Sequence, residues 1–259
     1  MIDKITIKRF KGIRSIGLEL APINVIIGGN NAGKSSILQA IQFAVSVAQT
    51  TSNQNVNWRG DRLPSSLSSA ELVYAPISDI YALGHNGQLQ EPVSEAINIA
   101  FTSGEYQSKV IVRKGRNKNI SIAIEGKEIG ENLRNIDKPF SVIVPGLAGI
   151  PARESFKTPS VIKRLAARGD SNSVFRNILL QLSRNQVDWD SFLSTLNKIY
   201  DGLSVVVSFD EESDEYISVN VELGGQSLPI DATGTGVLQA IQILSYIYLF
   251  KPKLLRFLS

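Results

Sequence analysis

The sequence predicts an α/β fold with a mixed sheet, an antiparallel β subdomain towards the N-terminus and a helical subdomain further on. Three observations predict it. A glycine-rich loop, Gly28 to Ser35, stands between a short β-branched run and a segment of helical periodicity. The hydrophobic pattern alternates with period two through residues 97–124 and turns helical between 153 and 201. A second glycine-rich turn, Asp231 to Gly236, opens directly onto another helical stripe.

The first elements follow from alternation. Ile5 and Ile7, with Arg9 in step, alternate with Thr6 and Lys8, and Ile16, Leu18 and Leu20 do so again after a turn at Lys11-Gly12. The two runs predict a hairpin. Pro22 then punctuates the chain. Ile23 to Ile27 is short and nearly all apolar, which predicts a central strand buried on both faces. Ile37, Leu38, Ile41, Ala44, Val45 and Ala48 predict a helix from about Lys34 to Gln49. Residues 50–95 are polar and broken by Pro64, Pro76 and Pro92, so loops with short elements are expected there, including a strand at Glu71 to Tyr74.

Ile97 to Phe101, Lys109 to Arg113 and Ile120 to Ile124 predict an antiparallel meander. Its turn carries Arg113, Lys114, Arg116 and Lys118, which suits either DNA or RNA phosphates or a solvated hairpin tip. Phe140 to Val144 reads as a strand. Val161, Leu165 and Ala166, then Val174, Ile178, Leu179 and Leu182, then Trp189, Phe192, Leu193, Leu196 and Ile199 form three helical stripes. The basic residues Arg153, Lys157, Lys163, Arg164 and Arg168 face either a ligand or water. Val205 to Glu211 ends in Asp-Glu, as a strand that positions Mg²⁺ does, but the alternation from Tyr216 to Leu223 makes Asp210 to Asp214 a hairpin tip. Val237, Leu238, Ile241, Leu244 and Tyr248 predict a helix, and Leu254-Leu255 a further strand.

Composition narrows the function. Lys plus Arg is 27 against 24 for Asp plus Glu, a net charge of +3 that by itself does not single out nucleic acid. With no cysteine, disulfides and thiolate chemistry are excluded. His85, the single histidine, lies in a turn-like Leu83-Gly84-His85-Asn86-Gly87 and reads as a loop residue. The start of the chain lacks a signal-peptide core. The apolar stretch Val237 to Phe250 holds Gln239, Gln242 and Ser245 and is shorter than the roughly 20 residues a bilayer needs. A cytoplasmic location with no membrane partner is expected.

The first glycine loop carries the chemistry. Gly28-Gly29-Asn30-Asn31-Ala32-Gly33-Lys34-Ser35 fits G-x-x-x-x-G-K-[ST] at every fixed position, and Ser36 follows. Glycines let backbone N–H groups turn in towards phosphate oxygens, and the helix start adds the positive end of its dipole. In such a loop Lys34 reaches the β- and γ-phosphates and the Ser35 hydroxyl holds Mg²⁺. The expected ligands are ATP and Mg²⁺, in a P-loop NTPase.

Two features together carry a resemblance. They are the hairpin Ile5 to Ile13 leading into Asn30 to Ser36, and the late turn Ala232-Thr233-Gly234-Thr235-Gly236-Val237-Leu238-Gln239. With them the chain resembles the ABC-type ATPase domain of the RecF, SMC and OLD group, and is similar to AAA family ATPases of bacterial antiviral defence. Gly146-Leu147-Ala148-Gly149-Ile150-Pro151 also resembles those proteins. The resemblance implies an ABC-ATPase-like domain with a nucleotide-binding lobe over 1–152, a helical subdomain over 153–201, and a β-hairpin, signature turn and helix over 202–259. Thr233, Gly234, Thr235 and Gly236 would be the signature turn, with Thr233 in the place of the usual serine; a helix N-cap without ligand is the other reading. A homodimer or hetero-oligomer would then sandwich ATP between the loop of one subunit and the turn of the other. A nuclease or effector partner and DNA are also implied. After Leu255 the family continues with Asp-Glu-Pro and a switch histidine, whereas Arg256 to Ser259 follow here. The expectation is a truncated domain that binds ATP and does not hydrolyse it efficiently alone, or a short non-hydrolysing regulatory or scaffold subunit.

Overall fold

The computed structural model describes residues 2–54, 56–144 and 150–257. It divides into two units, Met1–Ile136 and Asp137–Ser259.

In the first unit, β1 (Lys4–Phe10) and β2 (Ile13–Glu19) form the expected hairpin. Ile5 and Ile7 face the core, but Arg9 takes a positive φ of 61°, so the next buried side chain is Phe10. Helix α1 (Lys34–Ser52) runs three residues past the expected end. Then come β3 (Arg62–Leu67), β4 (Ile97–Ser103), β5 (Tyr106–Lys114), β6 (Ile120–Glu125) and α2 (Lys127–Arg134). The six strands make one antiparallel sheet in the order β2-β1-β4-β5-β6-β3.

Helix α1 packs on β1, β4, β5 and α2. Its residues from Ala40 to Thr51 are all buried, and polar groups there need partners inside, which Ser46 and Thr50 find and the Gln49 amide does not among the described residues. Ser46 Oγ donates to the Tyr74 carbonyl at 2.9 Å and accepts from the Tyr74 N–H at 2.6 Å. Thr50 Oγ1 accepts from the Val73 N–H at 3.1 Å. These bonds hold the segment after β3 against the helix and so fix the body of α1, whose first turn follows the glycine loop.

Two expectations are corrected here. Ile23 to Ile27 joins no ladder among the described residues, and Ile23, Val25 and Ile27 are 84%, 78% and 90% exposed. A run of β-branched residues fits a strand, but a strand exists only where neighbours satisfy its backbone. The strand expected at Glu71 to Tyr74 is replaced by a 3-10 turn, Ser69–Glu71, where Ser68 and Glu71 form a reciprocal cap. The strand of that region is β3, masked in the sequence by Pro64 and two serines. Pro64 is tolerated because β3 lies at the sheet edge.

The second unit contains β7 (Ser141–Val144), α3 (Pro159–Arg168), α4 (Phe175–Ser183), α5 (Gln186–Ile199), β8 (Ser204–Ser208), β9 (Ser218–Leu223), β10 (Gln226–Pro229), α6 (Thr235–Phe250) and β11 (Leu254–Phe257). Strands β10-β9-β8 form an antiparallel sheet, and β11 pairs in parallel with β7. Val174, Phe175, Ile178, Leu179, Phe192, Leu196, Ile241 and Tyr246 lie in its core. The first helical stripe is shifted by one residue from the expected one. Ile162, Ala166 and Ala167 are buried on α3, and Val161 is exposed.

The Asp210 to Asp214 hairpin tip is as expected. Asp214 N–H donates to the Asp210 carbonyl at 2.9 Å, and Asp210 N–H to Asp214 Oδ2 at 2.8 Å. Gly146 to Gly149 of the stretch noted above lie outside the described residues, as do Leu258 and Ser259. Among the described residues no helix is long and apolar enough to cross a membrane.

Candidate nucleotide-binding turns

The first turn is built by backbone geometry. Asn31 takes φ 65° and Gly33 φ 91°, which curls the chain into the start of α1. Gly33 is the N-cap residue, and a residue with a side chain would be strained there. No side chain caps α1, and its first turn holds no acidic residue. The first N–H groups of a 19-residue helix are thus left without a side-chain acceptor at the positive end of its dipole. An added Cβ at Gly29 or Gly33 would meet nothing within 4 Å, so the cradle is open.

Lys34 folds back over this loop. Its Nζ donates to the Gly28 carbonyl at 2.7 Å and the Gly29 carbonyl at 3.0 Å. The ammonium therefore already lies against the backbone of the loop's first two glycines. Gly28, Gly29, Asn30, Asn31, Ala32 and Ser35 are exposed, and Ser36 is half-buried. The donor set suits a phosphate chain: backbone N–H groups, one ammonium and one exposed hydroxyl at the helix start. Ser35 is the residue of this loop suited to Mg²⁺, an ion that keeps most of its oxygen ligands from phosphate and water. Among the described residues no group of three His, Asp or Glu side chains could hold a metal by itself.

The second turn lies in the second unit. Gly234 is the N-cap of α6, which also has no side-chain cap and no acid in its first turn. Thr233 Oγ1 donates to the Ile230 carbonyl at 2.7 Å, fixing the backbone just before the helix. Gly234, Thr235 and Gly236 are exposed. Ile230, fully buried, anchors the turn from below. Each turn thus offers uncapped N–H groups, and only the first brings a cation.

The basic residues singled out above fall into two groups. At the β5–β6 tip, Arg113 donates to the Glu91 carbonyl and Lys114 lies 3.9 Å from the Glu91 carboxylate, while Arg116 and Lys118 are exposed. In the second unit, Lys163 pairs with Asp137 at 2.9 Å and Arg153 lies over the Tyr216 ring. Arg164 and Arg168 are on the wet side of α3. His85 Nδ1 lies 3.0 Å from the Lys11 carbonyl, so it carries the proton and serves a local bond.

One cluster was not singled out in the sequence. Arg176 and Glu154, 4% and 2% exposed, sit 3.6 Å apart. Arg176 also bonds Asp231 Oδ1 at 2.8 Å and the Pro151 carbonyl. Burial raises the Glu154 carboxyl above its ordinary range, opposed by N–H bonds from Arg176 and Asn177 and by the guanidinium. The signal available in the sequence was an arginine inside the apolar stripe from Val174 to Leu182.

Comparison with known proteins agrees with this geometry. A family profile described as AAA ATPase domain matches residues 1–200. An uncharacterized protein of Methanocaldococcus jannaschii is 45% identical over 67 residues, 23% of this chain. The chain spans 31% of the length of that relative. Among solved structures, an Smc head bound to the C-terminal winged-helix domain of ScpA superposes with a TM-score of 0.54 at 16% identity, covering 96% of this chain and 77% of the other. The Pyrococcus furiosus Smc head, with an extended coiled coil and the C-terminal domain of ScpA, gives 0.50 at 14% identity over 97% and 79%. These likenesses show the fold, an α/β P-loop architecture of the ABC-ATPase type.

Proposed function

The chain belongs to the AAA ATPase domain family, and from that premise we propose that it binds ATP with Mg²⁺ at residues 28–36 and presents Thr233 to Gly236 to the ATP of a second subunit. The observation that carries this reading is the first turn itself. It combines an uncapped helix start, a glycine in left-handed conformation and Lys34 lying on the loop carbonyls.

On binding, Lys34 exchanges its two carbonyl partners for phosphate oxygens, and the N–H groups at the start of α1 orient the chain of phosphates. Mg²⁺, when bound at Ser35, neutralises charge on the phosphate oxygens. Backbone N–H groups at the start of α6 suit the terminal phosphate of a neighbour's ATP, since they attract an anion and add no competing charge. Neither residues 28–36 nor residues 233–236 contain a carboxylate or an imidazole, and the Asp231 carboxylate just before the second turn is taken up by Arg176. Water activation therefore calls for a base from another segment, and the residues of the two turns by themselves bind and turn ATP over slowly. A regulatory or scaffold subunit would work in the same way, as a nucleotide-dependent clamp.

For cellular role the reading is DNA repair or antiphage defence in the cytoplasm. It is supported by the resemblance of the loop and turn to the RecF, SMC and OLD group, and by the exposed Arg116 and Lys118, which suit nucleic-acid phosphates. The ScpA-bound Smc heads support a protein partner, a nuclease or effector among the candidates.

The test is titration with a fluorescent ATP analogue and Mg²⁺. The wild type is expected to bind it, and Lys34→Ala to lose at least tenfold in affinity, as loss of a charge-assisted contact of about 1.5–3 kcal/mol requires. Equal affinity in the two proteins would remove residues 28–36 as the site.

A further inference from the structure

The geometry points to Arg176 as a positioning residue that holds the second glycine turn in place through Asp231, an inference that rests on that turn serving the ATP of a second subunit. The four groups concerned are Glu154, Arg176, Asn177 and Asp231. Glu154 accepts the Arg176 N–H at 3.0 and 2.9 Å, the Asn177 N–H at 3.3 Å and Asn177 Nδ2 at 3.2 Å. Its oxygens are therefore satisfied at the start of α4 before the Arg176 guanidinium is considered.

The guanidinium is 3.6 Å from Glu154, and its ends turn elsewhere. One donates to the Pro151 carbonyl, and the other to Asp231 Oδ1 at 2.8 Å. A planar fork with donors in fixed directions meets the Pro151 carbonyl and Asp231 at set angles, which a lysine's freely rotating ammonium does not. Burying such a charge brings little net stability, because desolvation offsets the attraction. Its placement is better accounted for by what it holds.

Asp231 is half-exposed, on the 3-10 turn Ile230–Ala232 that leads into Thr233. Below it Ile230 is locked in the core. Arg176 supplies a second fixed point, so the chain from 231 to 234 enters α6 at one angle. Charge gives a second reason. A free carboxylate beside an anion-binding helix start repels phosphate, and Arg176 both pins and neutralises it. Misplacing N–H donors by a fraction of an ångström weakens an oxyanion contact steeply.

The experiment uses the full chain with ATPγS and Mg²⁺, and measures self-association by sedimentation velocity and the chain's own nucleotide affinity by titration. Asp231→Asn keeps the side-chain shape and leaves the buried pair intact. It is expected to weaken nucleotide-dependent association about tenfold, the scale of one charge-assisted bond, with nucleotide affinity unchanged within about twofold. Asp231→Glu is expected to recover part of the association. Arg176→Met, which leaves the carboxylate free, is expected to associate more weakly than Asp231→Asn. Association of Asp231→Asn equal to wild type overturns the inference, and so does a parallel fall in nucleotide affinity. If the wild type binds ATPγS but does not associate, the shared-site reading fails and this inference fails with it. If it does not bind ATPγS, residues 28–36 fail first.

Discussion

Lys34 shows how little of its role concerns stability. Its two partners are carbonyls of the exposed loop, which water can replace. Lys34→Ala is therefore expected to leave the nucleotide-free melting temperature nearly unchanged while removing the stabilisation that ATP adds. Gly33 behaves in the opposite sense. Its φ of 91° means that Gly33→Ala destabilises by about 1–2 kcal/mol in urea unfolding, because the left-handed region is unfavourable for a side chain. Glu154 adds a pH dependence. Burial raises its carboxyl above the ordinary value of 4.5. Its folded pKa lies above its unfolded one, so its contribution is complete below the unfolded value and is lost as pH rises through the folded value. Urea unfolding across that window is expected to show wild-type stability falling with pH, and Glu154→Gln flattening the slope. A wild-type slope unchanged in Glu154→Gln would contradict the assignment.

Among the elements, α1 and the run before it make a contrast. Phe43 is fully buried, whereas Val25 and Ile27 are largely exposed. Phe43→Ala is expected to cost about 3–5 kcal/mol, and Val25→Thr with Ile27→Thr to change stability by no more than about 0.5 kcal/mol each. A large loss from the threonine pair, read by denaturant midpoint, would mean that the run is buried after all. This pair also shows where the sequence was readable. Helix α1, the β1–β2 hairpin, the β4–β5–β6 meander, the β8–β9 hairpin and α6 were legible, because period and length agree in each. Ile23 to Ile27 had the composition of a strand, but pairing depends on distant residues that composition does not name. Strand β3 was hidden by Pro64, and the eight-residue α2 by its high charge, its core contacts coming from Ile129, Gly130 and Leu133 alone.

At the scale of the molecule, each unit has a core of its own and each carries one glycine turn at the start of a helix. The loop residues were legible because the phosphate pattern fixes their spacing. The second turn was legible as a turn, with its signature role coming from resemblance. The Arg176 cluster was not legible, since contacts among residues 151, 154, 176 and 231 exist only after folding. If the two turns are halves of one shared site, a chain damaged in the first turn should still serve a chain damaged in the second. The direct measurement is nucleotide-dependent association of Lys34→Ala, of Gly234→Asp, and of the two mixed in equal amounts. The account predicts that neither variant self-associates with ATPγS and Mg²⁺, and that the mixture forms a heterodimer with one intact site. Absence of that heterodimer, with wild type associating normally, would contradict it.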